Sequence, residues 1–131
     1  MSNIVYEMAT YLQSKGIGTV GVNIFVGEAP KDIESAIILI AVPGQQMDVD
    51  TGIEYQSFDV WSRDKDVANG YNVLQSVFYA LDRVNSIELT SYHIYLSTST
   101  SAIADLDKDV EGRKLWKLPI VLIYRNKNLV S

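Results

Sequence analysis

Few side chains in this sequence have the type and spacing that catalysis requires. The chain has one histidine and no cysteine, so disulfides, thiolate catalysis and cysteine-based zinc sites are excluded. His93 lies within a predicted strand beside tyrosines, where a surface or pairing role is more typical than general-base catalysis. No nucleophile stands near an evident base. The sequence therefore predicts no catalytic residue, and an enzyme is the least expected class.

Two further stretches resemble binding motifs without meeting their requirements. The acidic run "DLDKDVE", Asp105–Glu111, lacks the glycine spacing and the distant glutamate of a calcium loop. The run "GIGTVG", residues 16–21, follows a predicted helix and opens a strand, which is the reverse of a dinucleotide-binding fingerprint. We therefore predict a solvated charged loop and a plain turn, with no metal site and no cofactor.

Charge is distributed unevenly along the chain. The formal net charge is -5, but residues 1–111 hold all 16 acidic residues against 6 basic ones, and residues 112–131 hold 5 basic residues and no acidic one. An acidic protein of this kind is not expected to read duplex DNA, because DNA readers use clustered lysine and arginine. The basic end of an otherwise acidic chain indicates a charge asymmetry that recognition can use.

Length and hydropathy predict one domain, residues 1–131. No apolar run approaches the roughly 20 residues that span a bilayer. The N-terminal "MSNIVYEMATYLQSKG" has no basic start and carries Glu7 inside its apolar stretch, unlike a secretion signal. We expect a protein of the cytoplasm that does not enter a membrane.

Hydrophobic spacing predicts two helices and a sheet. Apolar residues from Ile4 to Leu12 repeat every three to four positions before Gly16, and a second stripe comprises Val67, Tyr71, Leu74, Phe78 and Leu81. Five strands are predicted, in "VGVNIFVGEAP", Ala36–Val42, "EYQSFDVWSRD", "NSIELTSYHIYLSTST" and "LWKLPIVLIYR". In the fourth strand, one side carries Ile87, Leu89, Ser91, His93 and Tyr95. The loop "PGQQMDVDTGI" precedes the third strand. This order indicates an α+β fold, with both helices on one face of a mostly antiparallel (mixed) sheet.

The third predicted strand has apolar side chains on both faces. Tyr55 and Trp61 share one face with Asp59 and Arg63, whereas Phe58 and Val60 lie on the other. Such a strand is either covered on both sides within its own chain or covered on one side by a partner chain.

Several segments resemble a known family. A short first helix that ends at a glycine turn, "VNIFVGEAP" before an apolar strand, and "FDVWSRD" leading into "VANGYNVLQSVFYAL" are similar to the tail terminator (minor capsid) proteins of long-tailed bacteriophages. The likeness extends from Ile4 to Arg125. It implies a small α+β subunit that forms a homo-hexameric ring on the finished tail tube, stops tube growth and presents a surface to the head connector.

A ring of this kind implies a heterologous interface, in which one patch of a subunit meets a different patch of the next. By the resemblance, Arg63 matches the arginine that closes the family's central strand; a salt bridge to Asp64 or Asp59 is its alternative role. Segregated charge would suit such an interface, with acidic residues of one subunit facing basic residues of its neighbour. The interface candidates are Asp59, Trp61, Arg63, Asp105, Asp107, Asp109, Arg113, Lys114 and Lys117.

The resemblance also implies partners and a location. The expected partners are further copies of the chain, the tail tube protein and a head connector or stopper protein, in the neck of a virion assembled in the host cytoplasm. DNA is expected to pass through the ring without specific binding, with Asp48, Asp50 and Glu54 as candidate channel residues. Two other functions fit the residues: a head completion or stopper protein, and a regulatory domain that binds a small molecule between helices and sheet.

Overall fold

The computed structural model describes residues 3–43 and 52–127, and that part of the chain contains two helices and seven strands. The elements follow one another as α1 (Ile4–Ser14), β1 (Ile24–Val26), β2 (Ala36–Val42), β3 (Ile53–Asp64), α2 (Val67–Leu81), β4 (Val84–Glu88), β5 (Tyr92–Ser99), β6 (Ala104–Lys108) and β7 (Lys114–Asn126). The predicted α+β class is confirmed. Most of the predicted loop before β3 lies outside the described residues.

The strands form one mixed sheet in the order β1-β2-β3-β7-β5-β4, with β6 paired to β7. β1 and β2 are parallel, and the other pairs are antiparallel. β3 and β7 pair along their whole shared length, from Ile53 opposite Arg125 to Asp64 opposite Lys114. β5 and β6 follow each other along the far edge of β7, so β3 and β7 are the spine of the sheet.

Both helices pack on one face of this sheet, α1 against β1 and β2, and α2 against β3 and β7. The core between the layers is apolar, and its largest fully buried side chains are Met8, Leu12, Ile24, Leu39, Phe58, Leu74, Leu81, Ile94, Leu118, Ile120 and Leu122. Burying a side chain of this size stabilises the fold by about 1.5–3 kcal/mol. The core side chains on the helix side of the sheet are therefore buried within one subunit.

Local polar groups set the helix ends. The Asn3 side chain accepts hydrogen bonds from the amides of Val5 (2.8 Å) and Tyr6 (3.4 Å), which caps α1. Gly16, with φ of +78°, follows the helix in the left-handed conformation that glycine adopts without strain. Asp66 caps α2 by accepting from the amide of Asn69 at 3.1 Å.

The buried stripe of α2 differs from the predicted one. Its buried residues are Gly70, Leu74, Val77 and Leu81, whereas Val67 and Tyr71 are exposed. A β-carbon at Gly70 would lie 3.2 Å from the Trp116 ring, so the glycine lets the helix approach β7 closely, and Tyr71 packs edge-on against the same ring instead of entering the core.

The segment predicted as a single fourth strand is a hairpin. β4 and β5 are antiparallel, and the Leu89 amide donates to the carbonyl of Tyr92 at 2.9 Å across the turn. The turn breaks the predicted alternation: Tyr92 and Ile94 are buried together with Ile87, while Tyr95 is exposed. A turn without glycine or proline gives no strong sequence signal.

Two other strand predictions are corrected. The acidic run predicted as a loop begins with β6, where Ala104 lies opposite Lys117 and Asp105 opposite Trp116. β7 extends beyond the end of β5, and β6 pairs with the edge that would otherwise be left there. The first strand is only Ile24–Val26, because the carbonyl of Thr19 accepts from three following amides and folds the preceding residues into a turn.

Candidate protein interaction surface

The face of the sheet opposite the helices is the candidate surface. Along β3, Phe58 and Val60 point into the core, and Asp59 and Trp61 point away from it. We call this second face the open face. It comprises Ile38, Ile40 and Val42 of β2, Tyr55, Ser57, Asp59, Trp61 and Arg63 of β3, and Lys117, Pro119, Val121, Ile123 and Arg125 of β7.

The open face is largely apolar on β2 and β7, with Ser57 and Asp59 between these strands on β3, and neither helix covers it. None of its residues belongs to the described hydrophobic core, although most are half-buried by their neighbours in the sheet. Tyr55 is 37% exposed. The prediction that β3 has apolar side chains on both faces is confirmed, and the structure leaves one of those faces without a helical layer.

One end of the open face is covered by the connection between β1 and β2, residues 27–35, which we call the strap. Arg63 Nη2 donates to the carbonyls of Pro30 (2.7 Å) and Ile33 (2.6 Å). Arg113 Nη1 also donates to the carbonyl of Ile33, at 3.0 Å, and to a second strap carbonyl at 2.7 Å. Both arginines are buried, at 8% and 4% exposure. Together they hold the strap across the sheet.

The two arginines lie close enough to repel each other, and the acidic residues Asp109, Glu111 and Asp32 offset part of that repulsion. Arg113 Nε donates to Asp109 Oδ2 at 2.8 Å. Burial, and then repulsion by the Arg113 guanidinium, lower the pKa of Arg63, while Asp109 opposes this change. Burial raises the pKa of the Asp109 carboxyl, but hydrogen bonds from Arg113 and from the Glu111 amide outweigh burial and hold that pKa below its usual range.

Asp64 is not the partner of Arg63. Its Oδ2 accepts from the Ser35 hydroxyl (2.8 Å) and the Asn69 amide (2.5 Å), and its Oδ1 accepts from the backbone of Asp66 at 2.9 Å. The Asp64 carboxylate therefore orders the junction between β3 and α2. Among the described residues no ion pair joins Arg63 to Asp64 or to Asp59.

The acidic run and the basic segment pair within one subunit. Besides the Asp109–Arg113 ion pair, the Lys114 ammonium contacts the Asp105 carboxylate, and Glu111 lies 3.6 Å from Arg113. Because β6 pairs with β7, the two oppositely charged segments lie side by side in a hairpin. The pairing that the sequence led us to expect between subunits is thus made inside each one, and a role in the interface stays a prediction for these residues.

Three buried nitrogen donors in the described part of the chain have no acceptor: Trp61 Nε1, Arg63 Nε and Arg125 Nε. All three side chains belong to the open face. Each unsatisfied buried donor costs about 1–3 kcal/mol. A partner that presents carboxylate or carbonyl oxygens would remove this cost. The sequence placed Trp61 and Arg63 on this face, but Arg125 was not among the predicted residues, because the alternation of β7 alone does not show which of its faces is covered.

A second concave surface is bounded by α1, β1 and the turn between β4 and β5. This groove has a volume of about 1110 Å³ and is lined by Tyr6, Tyr11 and Phe25, among other residues. The Ser91 amide donates to the Glu7 carboxylate at 3.0 Å and braces the groove. The groove is open to solvent and lies at the edge of the molecule beside α1 and β1.

Neither a metal site nor a membrane helix is found in residues 3–43 and 52–127. No three histidine, cysteine, aspartate or glutamate side chains are grouped there to hold a metal ion. None of the helices in these ranges is both long enough and apolar enough to cross a bilayer.

The remaining predicted residues are placed as follows. Asp48 and Asp50 lie outside the described residues. Glu54 is half-buried at the start of β3, and its charge adds to burial in raising the pKa of Tyr124 to about 12. The pairing role predicted for His93 is confirmed, because its Nδ1 contacts the Glu88 carboxylate.

Comparison with known proteins supports the resemblance seen in the sequence. A comparison with curated proteins finds no match. The family model described as "Bacteriophage tail terminator protein" matches residues 11–126, which is most of the chain. This range includes both sheet spine strands, the strap and all three unsatisfied donors. The chain therefore belongs to the bacteriophage tail terminator protein family, whose members are structural proteins of the virion tail.

Proposed function

We propose that this protein forms a homo-hexameric ring that caps the tail tube, ends tube polymerisation and provides the surface to which the head is joined. The observation that carries this proposal is the open face, an apolar sheet surface with unsatisfied donors that neither helix of its own subunit covers. Family membership gives the context, since a tail terminator works in contact with other virion components.

The physical reason for assembly is that this face is not covered within one subunit. A monomer would leave Val121, Ile123 and Tyr55 in contact with water, whereas an interface removes apolar area at about 25 cal/mol per Å². The same contact can supply oxygen acceptors to the donors of Trp61 and Arg125. In the proposed ring the open face meets a different surface of the next subunit, which is the heterologous geometry that closes into rings, whereas two open faces packed together would give only a dimer.

The ring is proposed to bind the tail tube protein on one side and a head connector or stopper protein on the other. Assembly takes place in the host cytoplasm, and the protein acts by binding, without catalysis. DNA passes through the channel without specific contacts, consistent with the net charge of -5. Replacing Asp48, Asp50 and Glu54 by lysine should slow DNA ejection, and unchanged ejection and assembly would refute the channel assignment.

Electron microscopy of the purified protein mixed with tail tubes of its own phage tests the proposal. The expected result is a six-fold ring at one end of each tube and an arrest of tube lengthening. Decoration of connector-bearing heads but not of tubes would identify a head completion or stopper protein instead, and binding to neither would reject both functions.

A matched pair of variants connects this assay to the open face. Val121→Glu places a charge in the apolar centre of the face, and Tyr79→Glu places the same charge on α2, at a side chain that is 72% exposed. Val121→Glu should abolish ring formation while Tyr79→Glu leaves it intact, with circular dichroism confirming that both variants fold. Equal ring formation by the two variants would show that the open face does not assemble the ring.

A further inference from the structure

The end of β6 and the turn that follows it project from the sheet as a small acidic surface, residues 107–111, which we call the tip. Val110 at its end is fully exposed. The Asp109 carboxylate accepts from the amides of Glu111 (3.0 Å) and Arg113 (2.9 Å), and Gly112 has φ of +80°. These contacts fix the turn, so an apolar side chain is held out in solvent on a rigid support, where a monomer gains nothing from it.

The tip retains negative charge after its internal pairs are made. Asp109 is paired with Arg113, but Asp107 is exposed. The Glu111 side chain is 57% exposed and lies 3.6 Å from Arg113, too far for a good hydrogen bond. Together with the exposed Lys108, the tip presents two carboxylates and one ammonium around an exposed valine, which leaves it with a net negative charge.

The open face has the complementary chemistry. Lys117 and Arg125 lie on it at opposite ends of an apolar strip formed by Pro119, Val121 and Ile123. No ion pair in the described ranges involves either cation. The Arg125 Nε is buried without an acceptor, and carboxylate oxygens are the strongest acceptors for guanidinium donors.

The tip lies close to Arg63, at the near end of its own open face, but it cannot reach the centre of the apolar strip. Eight residues, nearly all of them in the extended β7, lie between Gly112 and Val121, a distance of about 30 Å at the rise of a β-strand. The tip and the centre of the strip can therefore meet only between molecules. One acidic and one basic surface on the same chain fit a second copy better than an unrelated protein, because each copy supplies what the next one lacks.

We infer that the tip of each subunit docks on the open face of the next, with Val110 on the apolar strip and the carboxylates of Asp107 and Glu111 directed at the Arg125 guanidinium. This contact rests on the proposed ring and names the surfaces that form it. It is heterologous, so identical contacts repeat around a closed ring without leaving an unpaired face.

Cysteine cross-linking tests the contact directly, because the chain has no cysteine of its own. The test variant carries Val110→Cys at the tip and Ser57→Cys, which pairs with Val121 in the centre of the open face. The control variant carries Val110→Cys and Tyr79→Cys on α2. Both are incubated with tail tubes, oxidised and separated on a non-reducing gel, with electron microscopy of the same samples. A disulfide forms only when the two α-carbons come within about 7 Å.

The expected result is a ladder of covalent oligomers that ends at the closed ring for the test variant, and dimers at most for the control. Rings in the microscope without a ladder from the test variant would overturn the inferred contact and leave the proposed ring standing. Equal ladders from both variants would also overturn it, since they would reflect random collision. If neither rings nor a ladder form, the contact and the proposed ring both fail.

Discussion

Removing the Arg113 guanidinium should destabilise the fold far more than removing a surface charge. The substitution Arg113→Met keeps an apolar stem of similar length and deletes the group that holds both Asp109 and the strap. Arg113 is 4% exposed, and its guanidinium donates at 2.8 Å to Asp109 Oδ2 and at 2.7 and 3.0 Å to two strap carbonyls. The two carbonyls belong to the strap backbone, so they cannot turn to other donors without moving the strap.

The magnitude follows from these contacts. A hydrogen bond to a charged group contributes about 1.5–3 kcal/mol, and breaking one partner of a buried ion pair costs about 3–5 kcal/mol. Methionine avoids the cost of burying a guanidinium, which reduces the net effect. We therefore expect Arg113→Met to lower the free energy of unfolding by about 3 kcal/mol, or the Tm by roughly 10 °C for a domain of this size.

Urea denaturation followed by circular dichroism measures this change, and Lys65→Met is the matched control. The Lys65–Glu34 ion pair has a similar length, 2.9 Å, but its side chains are 58% and 60% exposed, so its loss should cost less than about 1 kcal/mol. The reasoning is refuted if the two variants lose stability equally, because burial would then not decide the strength of these contacts.

Substitutions of three other side chains should change the free energy of unfolding in the same urea assay. Hydrogen bonds, first from the Ser99 amide, lower the pKa of Asp82. The stabilisation by the Asp82 carboxylate is therefore complete above about pH 4 and is lost as pH falls through the lowered pKa. The urea midpoints of wild type and Asp82→Asn should converge in acid, and a difference between them that stays constant with pH would contradict this. Burial raises the pKa of Tyr124 to about 12. The folded state therefore keeps a proton that the unfolded chain loses, and the free energy of unfolding falls between about pH 10 and pH 12. Tyr124→Phe should reduce this loss of stability, and Tyr79→Phe should not. Ser86 of β4 has φ of 59°, so Ser86→Gly should relieve strain and raise the free energy of unfolding by about 0.5–1 kcal/mol. A lower midpoint would show that the backbone at Ser86 is not strained.

The elements with a long, regular pattern were predictable from the sequence. The alternation of Phe58 and Val60 with Asp59 and Trp61 placed β3 in the sheet with the correct faces, because a strand of twelve residues repeats the period-two signal several times. The apolar repeat from Ile4 to Leu12 likewise located α1. In both cases the side chains that decide the structure are neighbours in sequence.

The features that depend on distant segments were not predictable. β6 has the composition of a loop and forms because β7 offers it a free edge. The clamp of Arg63 and Arg113 on Ile33 joins residues 30 and 80 positions apart, and neither arginine differs locally from one that pairs at the surface. Propensity cannot report such contacts, since tertiary pairing overrides it.

The β6–β7 hairpin explains part of the uneven charge distribution of the sequence. Asp105 and Asp109 are neutralised by Lys114 and Arg113 in the same subunit, so part of the segregated charge stabilises the β6–β7 hairpin itself. The charge that remains includes the carboxylates of Asp107 and Glu111 at the tip and the cations of Lys117 and Arg125 on the open face. A subunit cannot neutralise this remainder alone, and an open row of subunits would always leave one tip and one face unpaired. In the inferred contact between the tip and the open face, closure into a ring pairs every copy, whereas a row that does not close keeps unpaired ends and grows as a filament.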